Sequence, residues 1–363
     1  MQSAIVERLE LAGVSASAVH PQVVELDAIV ESDLVLVDYV LDHWPERDEL
    51  DVPGVQPRRG AALIAVFRDH LDELHVKAGV PPVAFALRTG RIDKIPSRFP
   101  QPITQHAYAR ANNFEWIFDK EEHETAPRRI AELANAVRRL PDDWEQVGRG
   151  LGLAGDLLAL PDEIWASDAE RDALACHPPL HELSTASDGL AFLRWILHRI
   201  LPYPCFLYDR HRLSVRLGVP NRKLETAISP DGDLSGLSRL LDPARYSGVL
   251  AYFLGPHWWR AGVESILWDA TEGEPFSPQV LRRLVEREVG SIDAPTYRFP
   301  VLGIQNDYQY LDSPLELESA IRVQPDDWPS FAEDAWTTLE LIERYPNLAA
   351  IAVENSRSGA EIA

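Results

Sequence analysis

Asp209-Arg-His-Arg-Leu-Ser-Val-Arg-Leu-Gly-Val-Pro-Asn-Arg-Lys-Leu-Glu-Thr-Ala-Ile228 holds two short helical patterns on either side of a glycine. Leu213 and Leu217 stand four apart, so they share one face of a first helix. Gly218 supplies a turn, Val219 fills the angle behind it, and Asn221 is placed to cap a second helix carrying Leu224, Ala227 and Ile228. Arg210, Arg212, Arg216, Arg222 and Lys223 face only Asp209 and Glu225. The segment is therefore net positive inside an acidic chain.

Over about twenty residues this stretch resembles helix-turn-helix DNA-binding domains. That resemblance implies a second helix whose Arg222 and Lys223 would meet a DNA groove. Elements of this kind also occur in bundles and protein adaptors, where the basic face meets a protein. The apolar run 201–208 just before it ties the element to its host domain.

The surroundings argue against a general nucleic-acid or lipid affinity. The chain has 363 residues and a formal net charge of -22, which opposes attraction to phosphate backbones and anionic membranes. Hydrophobic residues make up 45% and charged residues 25%, the composition of a folded protein and not of a disordered one. Cys176 and Cys205 cannot build a disulfide framework, and the acid-bearing N-terminus has no apolar core of a secretory signal. The apolar run 32–41 is broken by Asp38, so no membrane span is expected. These features lead to the expectation of a cytoplasmic protein with no membrane partner.

A chain of this length predicts more than one domain. Apolar residues at helical spacing in 60–76, 126–140 and 190–200 predict helices, and 21–44 reads as another. After Pro243, strand-forming runs at 246–254, 298–304, 320–323 and 348–353 alternate with helical segments at 258–269, 278–289 and 328–344. The expected fold is mainly α with an α/β C-terminal part. Its expected divisions are an N-terminal helical region 1–125, a helical bundle 126–242 holding the helix-turn-helix-like element 209–228, and an α/β domain 243–363.

Candidate chemistry mostly fails on context. Gly150-Leu-Gly-Leu-Ala-Gly155 has the spacing of a dinucleotide loop, but no buried strand precedes it. Cys176, His177, His181 and Glu182 gather zinc-type ligands without the second spaced pair that closes a tetrahedron. Asp231-Gly-Asp233 lacks the rest of a calcium loop, and the repeated Pro-Asp-Asp-Trp at 141–144 and 325–328 reads as helix starts. No catalytic residue, cofactor or metal ligand is assigned. Trp258, Trp259 and Arg260 form the other segment of interest, because paired tryptophans beside an arginine serve either as a core anchor or as an interface hot spot.

The sequence thus predicts a non-catalytic accessory or adaptor subunit of a cytoplasmic assembly. Its partner would be a protein contacted through Arg210, Arg212, Arg216, Arg222 and Lys223 and through the aromatics Trp258 and Trp259 with Arg260. One competitor is a DNA-binding regulator using 209–228. The other is a metal-dependent hydrolase or nuclease with ligands scattered along the acidic C-terminal part.

Overall fold

The computed structural model describes residues 2–41, 57–78, 81–92, 95, 103–141, 144, 150–183, 189–228, 236–292 and 295–353. The chain packs as two compact units that interleave in sequence. The first comprises Met1–Arg98, Thr104–Leu157 and Pro179–His198, and the second Phe99–Ile103, Leu158–Pro178 and Arg199–Ala363. Helices dominate both, and the sheets are small.

In the first unit, β1 (Leu34–Asp38), β2 (Ala84–Thr89) and β3 (Trp116–Asp119) form a parallel sheet in the order β1-β2-β3. Leu34 pairs with Ala84 and Ala86 with Trp116. The helices Gly60–Ala78 and Ile103–Ala111 make the two crossovers, and Ala126–Arg138 follows β3. β2 is buried on both faces, with Ala84, Phe85, Ala86 and Leu87 fully inaccessible, which suits a contiguous apolar run in a parallel sheet.

Glu115, just before β3, is a carboxylate with no exposed surface. Its backbone N–H donates to the Phe85 carbonyl, and its Oε2 accepts from the Phe85 N–H at 2.6 Å. Arg194, on the helix Gly189–Trp195, donates to Oε1 at 2.7 Å. Arg68, on Gly60–Ala78, lies 3.5 Å from Oε2 and also holds the Asn112 carbonyl. Two arginines and a backbone donor thus satisfy one buried charge.

In the second unit the strands form three antiparallel pairs: Leu207–Tyr208 with Trp258–Trp259, Pro300–Val301 with Leu315–Glu316, and Ala320–Val323 with Ala335–Thr338. One core among its described residues joins Leu213, Leu217, Val219, Leu224, Val263, Leu267 and Val285.

The mixed, mainly helical character matches the expectation, but the parallel α/β alternation stands at the N-terminal end. Of the segment 21–44, the described residues 21–41 hold the short helix Leu26–Val30 and β1 instead of one helix. A five-residue apolar run carries no period that separates a buried strand from a helix. Segment 246–254 forms turns, with Leu250 in the left-handed region at φ 61°. Segment 348–353 is largely the end of the helix Pro346–Ala350, started by its proline. Within 328–344, pairing to Ala320–Val323 makes Ala335–Thr338 a strand, and only Leu339–Arg344 is helical. The Pro-Asp-Asp-Trp at 325–328 is a turn, with Trp328 N–H donating to the Pro325 carbonyl, and does not start a helix. The helices expected at 278–289 and from 60 onward are present as Pro278–Val289 and Gly60–Ala78. Asp231-Gly-Asp233 lies outside the described residues.

Replacing Glu115 with Gln removes the charge while keeping the shape, and leaves Arg68 and Arg194 without their counter-ion. Chemical denaturation is expected to show a loss of about 3 kcal/mol in the stability of this unit.

Candidate functional site

Open parallel sheets bind their ligands in the crevice outside the carboxyl ends of the strands. In this chain β1 ends at Asp38, β2 at Thr89 and β3 at Asp119. Lys120 follows β3 directly, and its Nζ reaches across the middle strand to lie 2.9 Å from Asp38 Oδ1. The Lys120 stem passes over Gly90, where a Cβ would meet it at 3.8 Å, an ordinary contact. The ion pair is partly open to water, with the Lys120 side chain 25% and the Asp38 side chain 46% exposed.

Thr89 ends the middle strand between these two residues and is buried. Its Oγ1 accepts from the Arg91 N–H at 3.0 Å, which leaves its own hydrogen free to donate. The 19-residue helix Gly60–Ala78 starts against the same corner. Gly60 N–H donates to the Tyr39 carbonyl at 3.0 Å, and a Cβ at residue 60 would sit 2.2 Å from the Asp38 carbonyl oxygen. Only glycine permits that approach. The positive end of the helix therefore faces the strand end that carries Asp38. Arg59 stacks on Tyr39 and donates to its hydroxyl at 3.1 Å. One carboxylate thus stands among a lysine, a hydroxyl and a helix start, an arrangement suited to an added anionic group.

In the sequence Asp38 stands out only as a break in an apolar run, and nothing local marks Lys120. The signal that marks them is an acid and a base each closing a short apolar run. It becomes legible only once those runs are known to be neighbouring parallel strands.

Behind β3 lies a closed aromatic layer. His106 and His198 approach Nδ1 to Nδ1 at 3.1 Å, and the Trp116 ring stacks on His198 at 5.7 Å with an interplanar angle of 5°. His198 Nε2 faces the Phe114 carbonyl at 3.4 Å, so this nitrogen carries the proton. The His198 Nδ1 then accepts, and His106 Nδ1–H donates. Burial pushes His106 down to about 3, helped by the charges of Arg110 and Arg129. His198 is held well below its ordinary value, by burial first and then by His106.

The basic segment forms the helices Arg210–Leu217 and Asn221–Ala227, with Gly218 in the left-handed region at φ 66°. Asp209 caps the first by accepting from the Arg212 N–H at 2.7 Å. Asn221 does not cap the second, which starts after Pro220. Its side chain instead holds Arg210 Nε at 2.9 Å. Arg212 is buried, paired with Glu333 and stacked on Tyr208. Arg216 grips Glu264 with both arms of its fork, each at 2.6 Å. Arg210 pairs with Glu225 at 3.0 Å and Arg222 with Asp312 at 3.1 Å. Lys223 is exposed and has no ion-pair partner among the described residues. The positive patch expected from the sequence is largely spent inside the chain.

Trp258 and Trp259 are core residues, each 1% exposed, and Arg260 pairs with Asp172 at 2.8 Å. Their strand pairing with Leu207–Tyr208 buries both rings, which removes them as interface residues. Cys176 and Cys205 are buried thiols that form no disulfide. Among the described residues no three His, Cys, Asp or Glu side chains converge as metal ligands.

The chain matches no protein-family model, no curated protein and no solved structure.

The histidine pair carries a pH prediction. Both imidazoles stay neutral in the fold, whereas in the unfolded chain they take up protons near their ordinary value of 6.5. The unfolded state therefore binds more protons below that value, and stability falls as pH drops, by roughly 1.4 kcal/mol per pH unit for each histidine. His106→Gln keeps a donor for His198, so thermal melts are expected to show a smaller loss than the parent chain between about pH 7 and about pH 5.

Proposed function

We propose that this chain is a cytoplasmic, non-catalytic adaptor whose first unit is switched by phosphorylation of Asp38. The observation that carries this reading is the Lys120 ammonium, 2.9 Å from Asp38 and stretched across the end of β2 to reach it. In the transfer, an Asp38 carboxylate oxygen attacks the phosphorus of an acyl phosphate. The bond from phosphorus to the acyl oxygen breaks, the carboxylate departs, and Asp38 becomes a mixed anhydride. The added group brings nearly two negative charges and strong acceptor oxygens. Lys120, the Thr89 hydroxyl and the start of Gly60–Ala78 are placed to compensate them.

No described helix is long and apolar enough to cross a membrane. DNA binding through 209–228 gains little from the geometry, because Arg210, Arg212, Arg216 and Arg222 already have acidic partners within the chain.

Incubation of the full chain with acetyl phosphate and Mg²⁺, followed by intact-mass measurement, tests the switch. One phosphoryl group is expected on the parent chain and none on Asp38→Asn. Lys120→Ala is expected to accept the group but to lose the shift in melting temperature that accompanies it. An unmodified parent chain, or modification that persists in Asp38→Asn, removes the proposal.

A further inference from the structure

The second unit presents two large aromatic rings to water around a single turn. Trp268, near the end of the helix Arg260–Ala270, is 55% exposed, and Phe276, just before Pro278–Val289, is 77% exposed. A lone exposed apolar side chain needs no explanation. This pair differs because the chain fixes both rings from below.

Arg216 is the floor. Its fork is closed on Glu264, its Nη1 donates to the Pro275 carbonyl at 3.0 Å, and its guanidinium lies 5.0 Å from the centre of the Phe276 ring. Glu264 stands one helical turn before Trp268, so both project from the same side of the helix. The turn between the rings is tied by Gly273 N–H to the Trp268 carbonyl at 2.9 Å and by Thr271 Oγ1 to the Leu267 carbonyl at 2.6 Å. The indole lies over Gly273, whose φ of 89° suits glycine, and a Cβ there would meet the ring at 3.5 Å. The rings are therefore held ready before any partner arrives, which lowers the entropy lost on binding.

The rim is acidic. Asp269, Glu272 and Glu274 are exposed and have no ion-pair partner among the described residues. Aromatic faces flanked by free carboxylates attract cations twice over, through ring quadrupole and through charge. We infer that the Trp268–Phe276 shelf docks a basic segment of a protein partner, laying arginine or lysine side chains on the rings and against the three carboxylates. This inference goes beyond the phosphorylation of Asp38 and does not depend on it.

Fluorescence anisotropy with labelled acetyl-(Arg-Ala-Leu)₄-amide and full-length chain tests it, with the (Glu-Ala-Leu)₄ peptide as control. The arginine peptide is expected to bind and the glutamate peptide not to. Trp268→Ala combined with Phe276→Ala should weaken binding by at least about tenfold while the melting temperature holds, since both rings are exposed. Glu272→Gln with Glu274→Gln should weaken it and flatten its salt dependence. Three results overturn the inference. One is binding unchanged by the aromatic pair, which means diffuse attraction to an acidic protein. Another is equal binding of both peptides or of neither. The last is self-association of the parent chain that the aromatic variant abolishes, which assigns the shelf to a second copy.

Discussion

A carboxylate sealed from water must be answered by positive partners, and Glu115 imposes that requirement on the first unit. It recruits Arg68 from the first crossover helix, Arg194 from the helix Gly189–Trp195 and the Phe85 amide from the middle strand. Because its own amide also donates to Phe85, β3 can pair with β2 in only one register. That register carries forward to the other end of the sheet, where Thr89 stands opposite Asp119 and Lys120 begins its reach. The buried charge and the exposed site are thus two ends of one alignment.

The second unit solves a related problem with opposite supply. In an acidic chain, arginines find carboxylates readily, and the largely buried Arg212 and Arg216 and the half-buried Arg260 are each answered by an acid distant in sequence. The planar fork of arginine suits this use, since it satisfies two carboxylate oxygens at once. Lysine could not copy the grip of Arg216 on Glu264. A scarcity of lysine combined with internal arginine is consistent with a structural assignment for most of the basic residues.

The sequence made the long amphipathic helices visible, because a stripe repeating every three or four residues has few other meanings. It also placed the strand Ala320–Val323 and the glycine turn at 218. The parallel sheet is hard to see in the sequence, since its strands are only four to six residues long and its middle strand is a buried apolar run with no alternation. The basic patch misled for a different reason. Local charge counting sees Asp209 and Glu225, whereas the partners that matter, Glu264, Asp312 and Glu333, come from 48 to 121 residues away. Trp258 and Trp259 were open between core and surface until their strand partner was known. Trp268, one helical turn from Glu264, keeps one face in water while the other lies over Gly273.

The close approach of Gly60 to the Asp38 carbonyl has a mechanical side. The helix starting there is 19 residues long, so it extends about 28 Å from its point of attachment. Held at its start by a contact with no slack and packed along its length through Leu63, Ile64, Arg68 and Leu71, the rod passes a displacement of its first turn on as a tilt. A tilt of about 2° at the pin moves the far tip by about 1 Å, a shift comparable to those by which packed helices change partners in allosteric proteins. With a side chain at residue 60 the pin could not form, and a disturbance at Asp38 would end at the strand.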